Sequence, residues 1–201
     1  MQKLVLASGN RGKLKEFADL LNNRGFSVHA QSEFGLDAVE ETGLTFVENA
    51  LLKARHVCSQ TGLPALADDS GIEVDARKGQ PGIYSARFAG PNASDADNNR
   101  KLLNELAEIP DDRRTARYHC ILVLMRHAED PTPLICQGTW EGRILPAPVG
   151  DGGFGYDPLF FVPSHQCSAA QLAKEEKNRI SHRAIALERL LQSLAAVSFS
   201  S

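Results

Sequence analysis

Two kinds of apolar pattern alternate along the chain: short continuous runs, and longer stretches in which apolar residues return every three or four positions. "KLVLAS" is a run of the kind that forms a strand buried on both faces, and Leu14, Phe17, Ala18 and Leu21 follow it at helical spacing. This predicts strand, glycine turn and helix. A second helix is predicted over "TFVENALLKARHVC", where Thr45 and Glu48 have capping-box spacing and Val47, Ala50, Leu51, Ala54, Val57 and Cys58 form one stripe. Gly62 can end it. "LPALA" predicts a strand that stops at "DDSG", which puts acidic side chains at a strand end, and "IEVDA" alternates as a further strand.

"SDADNNRKLLNELAEI" begins with cap-competent residues and carries Leu102, Leu103 and Leu106, so a third helix is expected. "RYHCILVLMR" and "LICQGTW" flank the turn-rich "AEDPTP" and read as an antiparallel pair. The glycine-rich "GDGGFGYDP" leads into the strand "LFFVP". Ser168 and Ser181 are candidate caps for two final helices, the second with Ala184, Leu187, Leu191 and Leu194 along one face. The sum is an α/β fold with a mixed central sheet flanked by helices.

A chain of 201 residues suits one large domain or two small lobes sharing a core. Twenty-two basic against twenty-five acidic residues, with no basic run, speak against a nucleic-acid or membrane surface as main partner and favour a small charged ligand. Cys58, Cys120, Cys136 and Cys167 form neither a zinc-type pair nor a disulfide framework, and Cys120 reads as a core residue. The first residues have no signal-peptide pattern and no stretch reaches membrane-span length, so a cytoplasmic location is expected.

"SGNRGK" is no familiar phosphate loop: only Asn10 and Arg11 separate Gly9 from Gly12, and Leu14 stands where a magnesium-binding hydroxyl would follow Lys13. What remains is a generic anion cradle, amide dipoles plus one cation at a helix start, or a plain strand-to-helix connection. Asp68 and Asp69, with Glu40 and Glu41, offer hard oxygen ligands suited to magnesium; from the residues alone, turn chemistry for the aspartates and solvation for the glutamates are the simpler readings. His182 and Arg183 fall in the first turn of a helix, where the macrodipole disfavours cations; they read either as functional or as solvent-facing. Phe154, set between glycines, is either a stacking platform or a buried anchor.

Taken in order, "SGNRGK", "EETG", "ADDSG", "PGIYSARFAG", "GGFGYDP" and "SHR" resemble the bacterial inosine triphosphate pyrophosphatase family, the Ham1-like or dITP/XTP pyrophosphatases. The resemblance runs over nearly the whole chain and implies one pyrophosphatase domain, residues 1–201, of two lobes sharing an active-site cleft. It implies hydrolysis of ITP, dITP and XTP to the monophosphate and pyrophosphate, with Mg2+ as cofactor and a homodimeric assembly. By position, Ser8, Gly9, Asn10, Arg11, Gly12, Lys13 and Lys53 would meet the phosphates. Asp69 would be general base and metal ligand with Glu41, while Asp68 and Glu40 are further acidic candidates. Ser70 would touch the nucleotide, and Phe154, Gly155, Tyr156, Asp157, Lys177, His182 and Arg183 would form the base pocket. Competing readings are a nucleotide-binding regulator without hydrolysis and a Maf-like pyrophosphatase of different base specificity, although "SHR" is not expected in the latter. A nucleotide kinase is disfavoured by the missing hydroxyl after Lys13.

Overall fold

The computed structural model describes residues 1–9 and 11–196. Seven strands, β1 Gln2–Leu6, β2 Phe26–Ala30, β3 Ala65–Val74, β4 Thr115–Met125, β5 Leu134–Ile144, β6 Phe160–Val162 and β7 Cys167–Ser168, form one sheet in the order β2-β1-β3-β4-β5-β6-β7. β1 runs parallel to β2 and β3, whereas β6 is antiparallel to β5 and β7, so the sheet is mixed as expected. The α-helices are α1 Arg11–Leu21, α2 Phe46–Thr61, α3 Asp95–Glu105, α4 Lys174–Ile180 and α5 His182–Ala196. Among the described residues no helix is long and apolar enough to cross a membrane, and none of the four cysteines is in a disulfide.

The described residues divide into two compact units: those up to 69 with 121–136 and 189–196, and residues 70–120 with 137–188. In the first, Ala50, Ala54, Val57 and Cys58 of α2 pack with Val5, Ala65, Ala67, Ile121, Val123 and Met125. These strand positions are all odd-numbered, and side chains alternate along a strand. α2 therefore covers one sheet face, and Leu4, Leu6 and Leu66 are buried on the other. In the second unit, Leu102 and Leu106 fix α3 against Ile72, Val74, Tyr118, Trp140 and Phe160.

Local signals set the helix starts. Thr45 accepts from the Glu48 amide at 3.2 Å, and Ser94 and Asp97 close a full capping box on α3. Gly62 ends α2 in the left-handed region.

Three expectations are corrected. "LPALA" and "IEVDA" are not separate strands, because β3 runs unbroken through "DDSG", so Asp68 and Asp69 lie mid-strand. Their carboxylates bond to lysines rather than to a local turn, and the β1 neighbour stops short of them, its pairings with β3 being Val5↔Ala65 and Leu6↔Leu66. Ser168 precedes a single 3-10 turn, Ala169–Gln171, its amide donating to Gln171 Oε1 at 3.0 Å and its hydroxyl to Val149 O at 2.6 Å, and α4 starts later without it. Along α5 the deepest residues are Ala186, Leu187 and Leu190, while Ala184, Leu191 and Leu194 are only half-buried, so the stripe is rotated from the one expected.

Candidate active site

Strand alternation gives Asp68 and Asp69 different partners. Asp69, on the odd-numbered face covered by α2, accepts from Lys53 Nζ at 2.8 Å; the same ammonium reaches Glu41 Oε1 at 3.0 Å. Asp68 points to the opposite face. There Lys13, in the first turn of α1, donates to both of its oxygens at 2.7 Å. Both aspartates are buried, at 2% and 8% exposure, and buried carboxylates need partners of this kind.

Burial pushes the Asp69 carboxyl above the ordinary aspartate value against the pull of Lys53, and the charges of Glu41 and Asp68 push it further up. Burial works against the Lys53 ammonium, but Asp69, Glu41 and Asp68 together outweigh it and hold its pKa above the usual lysine value. A carboxylate raised in this way is a better proton acceptor than an exposed one.

Glu41, not the exposed Glu40, turns towards Lys53. The turn that aims it is tied to α2 by the Gly43 amide, which donates to Asn49 Oδ1 at 2.9 Å. A side chain at Gly43 would meet Asn49 Oδ1 at 2.7 Å and Glu48 Cβ at 2.6 Å. Asn49 was not singled out from the sequence, although a polar residue bordering the apolar stripe, one turn before Lys53, is a signal that could have marked it.

The second group lies in residues 153–183. Gly153 and Gly155 have positive φ, 76° and 61°, which glycine adopts freely. Between them Phe154 is 59% exposed, so the buried-anchor alternative falls. Its amide donates to Asp157 Oδ2 at 2.8 Å, and Lys177 Nζ is hydrogen-bonded to the same oxygen. That ammonium lies 4.7 Å from the Phe154 ring centroid, with Arg183 Cζ 6.0 Å away. Tyr156 is buried and donates to Ser85 O at 2.8 Å.

α5 begins at His182 as expected, but His182 does not face solvent. It is 6% exposed and stacked on Tyr118, with centroids 4.7 Å apart and planes 10° off parallel. Tyr118, a residue the sequence did not flag, is held above the ordinary tyrosine pKa by burial and then by the Asp157 charge. α5 approaches β5 closely at Gly138, where a Cβ would meet His182 O at 1.9 Å.

Of the remaining candidates, Ser8, Gly9 and Gly12 border the turn from β1 into α1, with Gly9 and Gly12 exposed, and Ser70 follows Asp69 in β3. Asn10 and the side chain of Arg11 lie outside the described residues.

Against known proteins, residues 4–193 match the Ham1 family. The chain belongs to that family. Two dITP/XTP pyrophosphatases are similar to it, from Salmonella paratyphi A at 60% identity and from Vibrio cholerae at 58%, each over 194 residues. Those alignments cover 96% of this chain and 98% and 97% of the relatives. A HAM1 protein from Coxiella burnetii has a similar structure, with a TM-score of 0.95 and 51% identity over 98% of this chain and 100% of that one. The resemblance drawn from six short motifs is thus a family membership that spans the fold.

Proposed function

We propose that this Ham1 protein hydrolyses non-standard purine nucleoside triphosphates, dITP, XTP and ITP, to the monophosphate and pyrophosphate, removing them from the nucleotide pool. The observation that carries the reading is the Asp69 carboxylate, buried mid-strand, raised in pKa and held by Lys53 beside Glu41. The names of the Salmonella and Vibrio relatives support the substrate class.

Among the described residues no three His, Cys, Asp or Glu side chains form a ready-made metal cage. Magnesium does not need one, since it keeps waters and takes one or two carboxylates plus substrate phosphates. Glu41 and Asp69, already converging on one cation, fit that demand. When bound there, magnesium would supply charge neutralisation on the phosphates.

Lys13 and Lys53 would bind the triphosphate; an ammonium has three donors, so a carboxylate and a phosphate can share one lysine. Asp69 would orient the attacking water and take its proton. The water oxygen bonds to the α-phosphorus, the bond to the bridging oxygen breaks, and pyrophosphate leaves. The Phe154 ring would stack on the base. A homodimer in the cytoplasm completes the proposal, and light scattering on the pure protein tests the dimer.

The deciding experiment incubates the pure protein and magnesium with ITP, dITP, XTP, ATP, GTP and CTP and measures released pyrophosphate. Release from the first three well above the others is expected. Tight binding without release would leave a nucleotide-binding regulator instead, and preference for an ordinary base would point to another specificity.

A further inference from the structure

The loop that carries Phe154 is fastened from α3 by two side chains with no role in the reaction above. Asp95 Oδ2 accepts from the Gly155 amide at 2.6 Å, and Asn99 Nδ2 donates to the Gly155 carbonyl at 2.9 Å. Four residues apart on a helix, the two share one face, so α3 offers an acceptor and a donor to the two peptide groups flanking one glycine. The polarity is fixed. A carboxylate can only accept, and if the Asn99 amide were turned over, two oxygens would face each other. The Asn99 Oδ1 atom is buried without a hydrogen-bond partner, so the side chain forgoes one bond to make the one to Gly155.

Gly155 stands at φ 61°, next to Phe154. Rotation there would swing the ring, and on the other side the Phe154 amide is already held by Asp157. α3 is a firm mount: Leu102 and Leu106 are fully buried, and Asn98 bonds to Ala86 and Ala89. Phe154 is 59% exposed, so the Lys177 and Arg183 cations near its ring do not enclose it, and fastening of the backbone on either side contributes to its aim.

We propose that Asp95 and Asn99 are positioning residues that aim the Phe154 ring for stacking on the nucleotide base, so that recognition of the base is set in part from α3. The proposal rests on Phe154 being the base platform, as read above.

The test compares Asn99→Asp, Asp95→Ala, Asp95→Asn, Phe154→Ala and Phe154→Ala/Asn99→Asp. For each, KM and kcat for ITP, inhibition by inorganic tripolyphosphate, and thermal unfolding are measured. Asn99→Asp and Asp95→Ala should each raise KM about 5- to 30-fold, the size of a lost interaction of one to two kcal/mol, with kcat and tripolyphosphate inhibition unchanged. Asp95→Asn keeps an acceptor and should behave as wild type. Asn99→Asp should add little once Phe154 is alanine. If Phe154→Ala leaves KM unaltered, the stacking role itself is lost. If Phe154→Ala raises KM but Asn99→Asp and Asp95→Ala do not, or they weaken tripolyphosphate equally, or the double variant shows the full added effect, the positioning role is overturned. Should Asn99→Asp unfold, Asp95→Ala, at an exposed position, decides on the same criteria.

Discussion

The lysine–carboxylate cluster around β3 and the loop around Phe154 are built in opposite ways. In the first, Lys13, Lys53, Glu41, Asp68 and Asp69 are held by direct ion pairs, with both aspartates buried. In the second, an apolar ring stands exposed and is placed by hydrogen bonds to the backbone on either side of it. A charged cluster suits a triphosphate, whose charge it must match; an exposed flat ring suits a base, whose face it must meet. The difference teaches what damage to each should look like. Loss of a charge in the first region upsets the groups left behind, whereas loss of the ring in the second removes contact area and leaves the fold alone.

The sharpest break of the comparison is Asp69→Asn, which keeps the shape of the side chain but can neither take a proton nor neutralise a metal. Pyrophosphate release should fall by ~10²- to 10⁴-fold with far-UV circular dichroism unchanged; wild-type turnover at saturating magnesium would remove Asp69 from the chemistry. Lys13→Ala comes next. It removes the ion-pair partner of the Asp68 carboxylate at 2% exposure, so unfolding in urea should show a loss of about 3 kcal/mol. The double variant Lys13→Ala/Asp68→Asn should recover most of that loss, and failure to recover would show that the charge pair is not the cause. The same Lys13→Ala protein should be weaker on ITP and XTP alike, with their ratio nearly constant.

Phe154→Ala should raise KM for every accepted base by the equivalent of roughly 1 to 3 kcal/mol, without the stability loss of Lys13→Ala. An unfolding midpoint lowered as far as that of Lys13→Ala would erase the contrast between the regions. The smallest effect concerns base identity. Arg183 only donates, and a 6-oxo purine offers it an acceptor where adenine offers an amino group. Arg183→Ala should therefore narrow the ITP-to-ATP ratio of kcat/KM by about tenfold or more. Equal slowing of both would reassign Arg183 to the phosphates or the fold.

What could be read from the chain follows the range of the interactions involved. α2 and α3 were legible because their caps, Thr45 with Glu48 and Ser94 with Asp97, lie three residues apart. The middle of β3 was not. "DDSG" has turn chemistry when only its neighbours are considered, but it lies inside a strand that pairs with the distant β4, and the lysines that bind its carboxylates are 55 and 16 residues away. Phe154 between two glycines announced an accessible ring, yet its fastening to Asp95 and Asn99 spans 60 and 56 residues and leaves no local pattern. The solvent-facing alternative for His182 failed for a similar reason, since its stacking partner Tyr118 comes from β4, far from α5 in sequence. The family itself was legible because its motifs are short and local, even where their three-dimensional roles were not.

The alternation along β3 also makes that strand a counter of odd and even. Ala65, Ala67 and Asp69 belong to the α2 side; Leu66 and Asp68 belong to the α1 side. Removing one residue between Ala65 and Asp68 would exchange the sides of both aspartates at once. Lys53 and Lys13 would each then face an aliphatic side chain or the wrong acid. Substitutions there act one position at a time, but a change of length acts on the whole row. In this stretch the number of residues is therefore a stricter constraint than the identity of any apolar one. Sequence drift can repaint Leu66 or Ala67 with similar residues, but it cannot add or drop a step without unmaking both ion pairs.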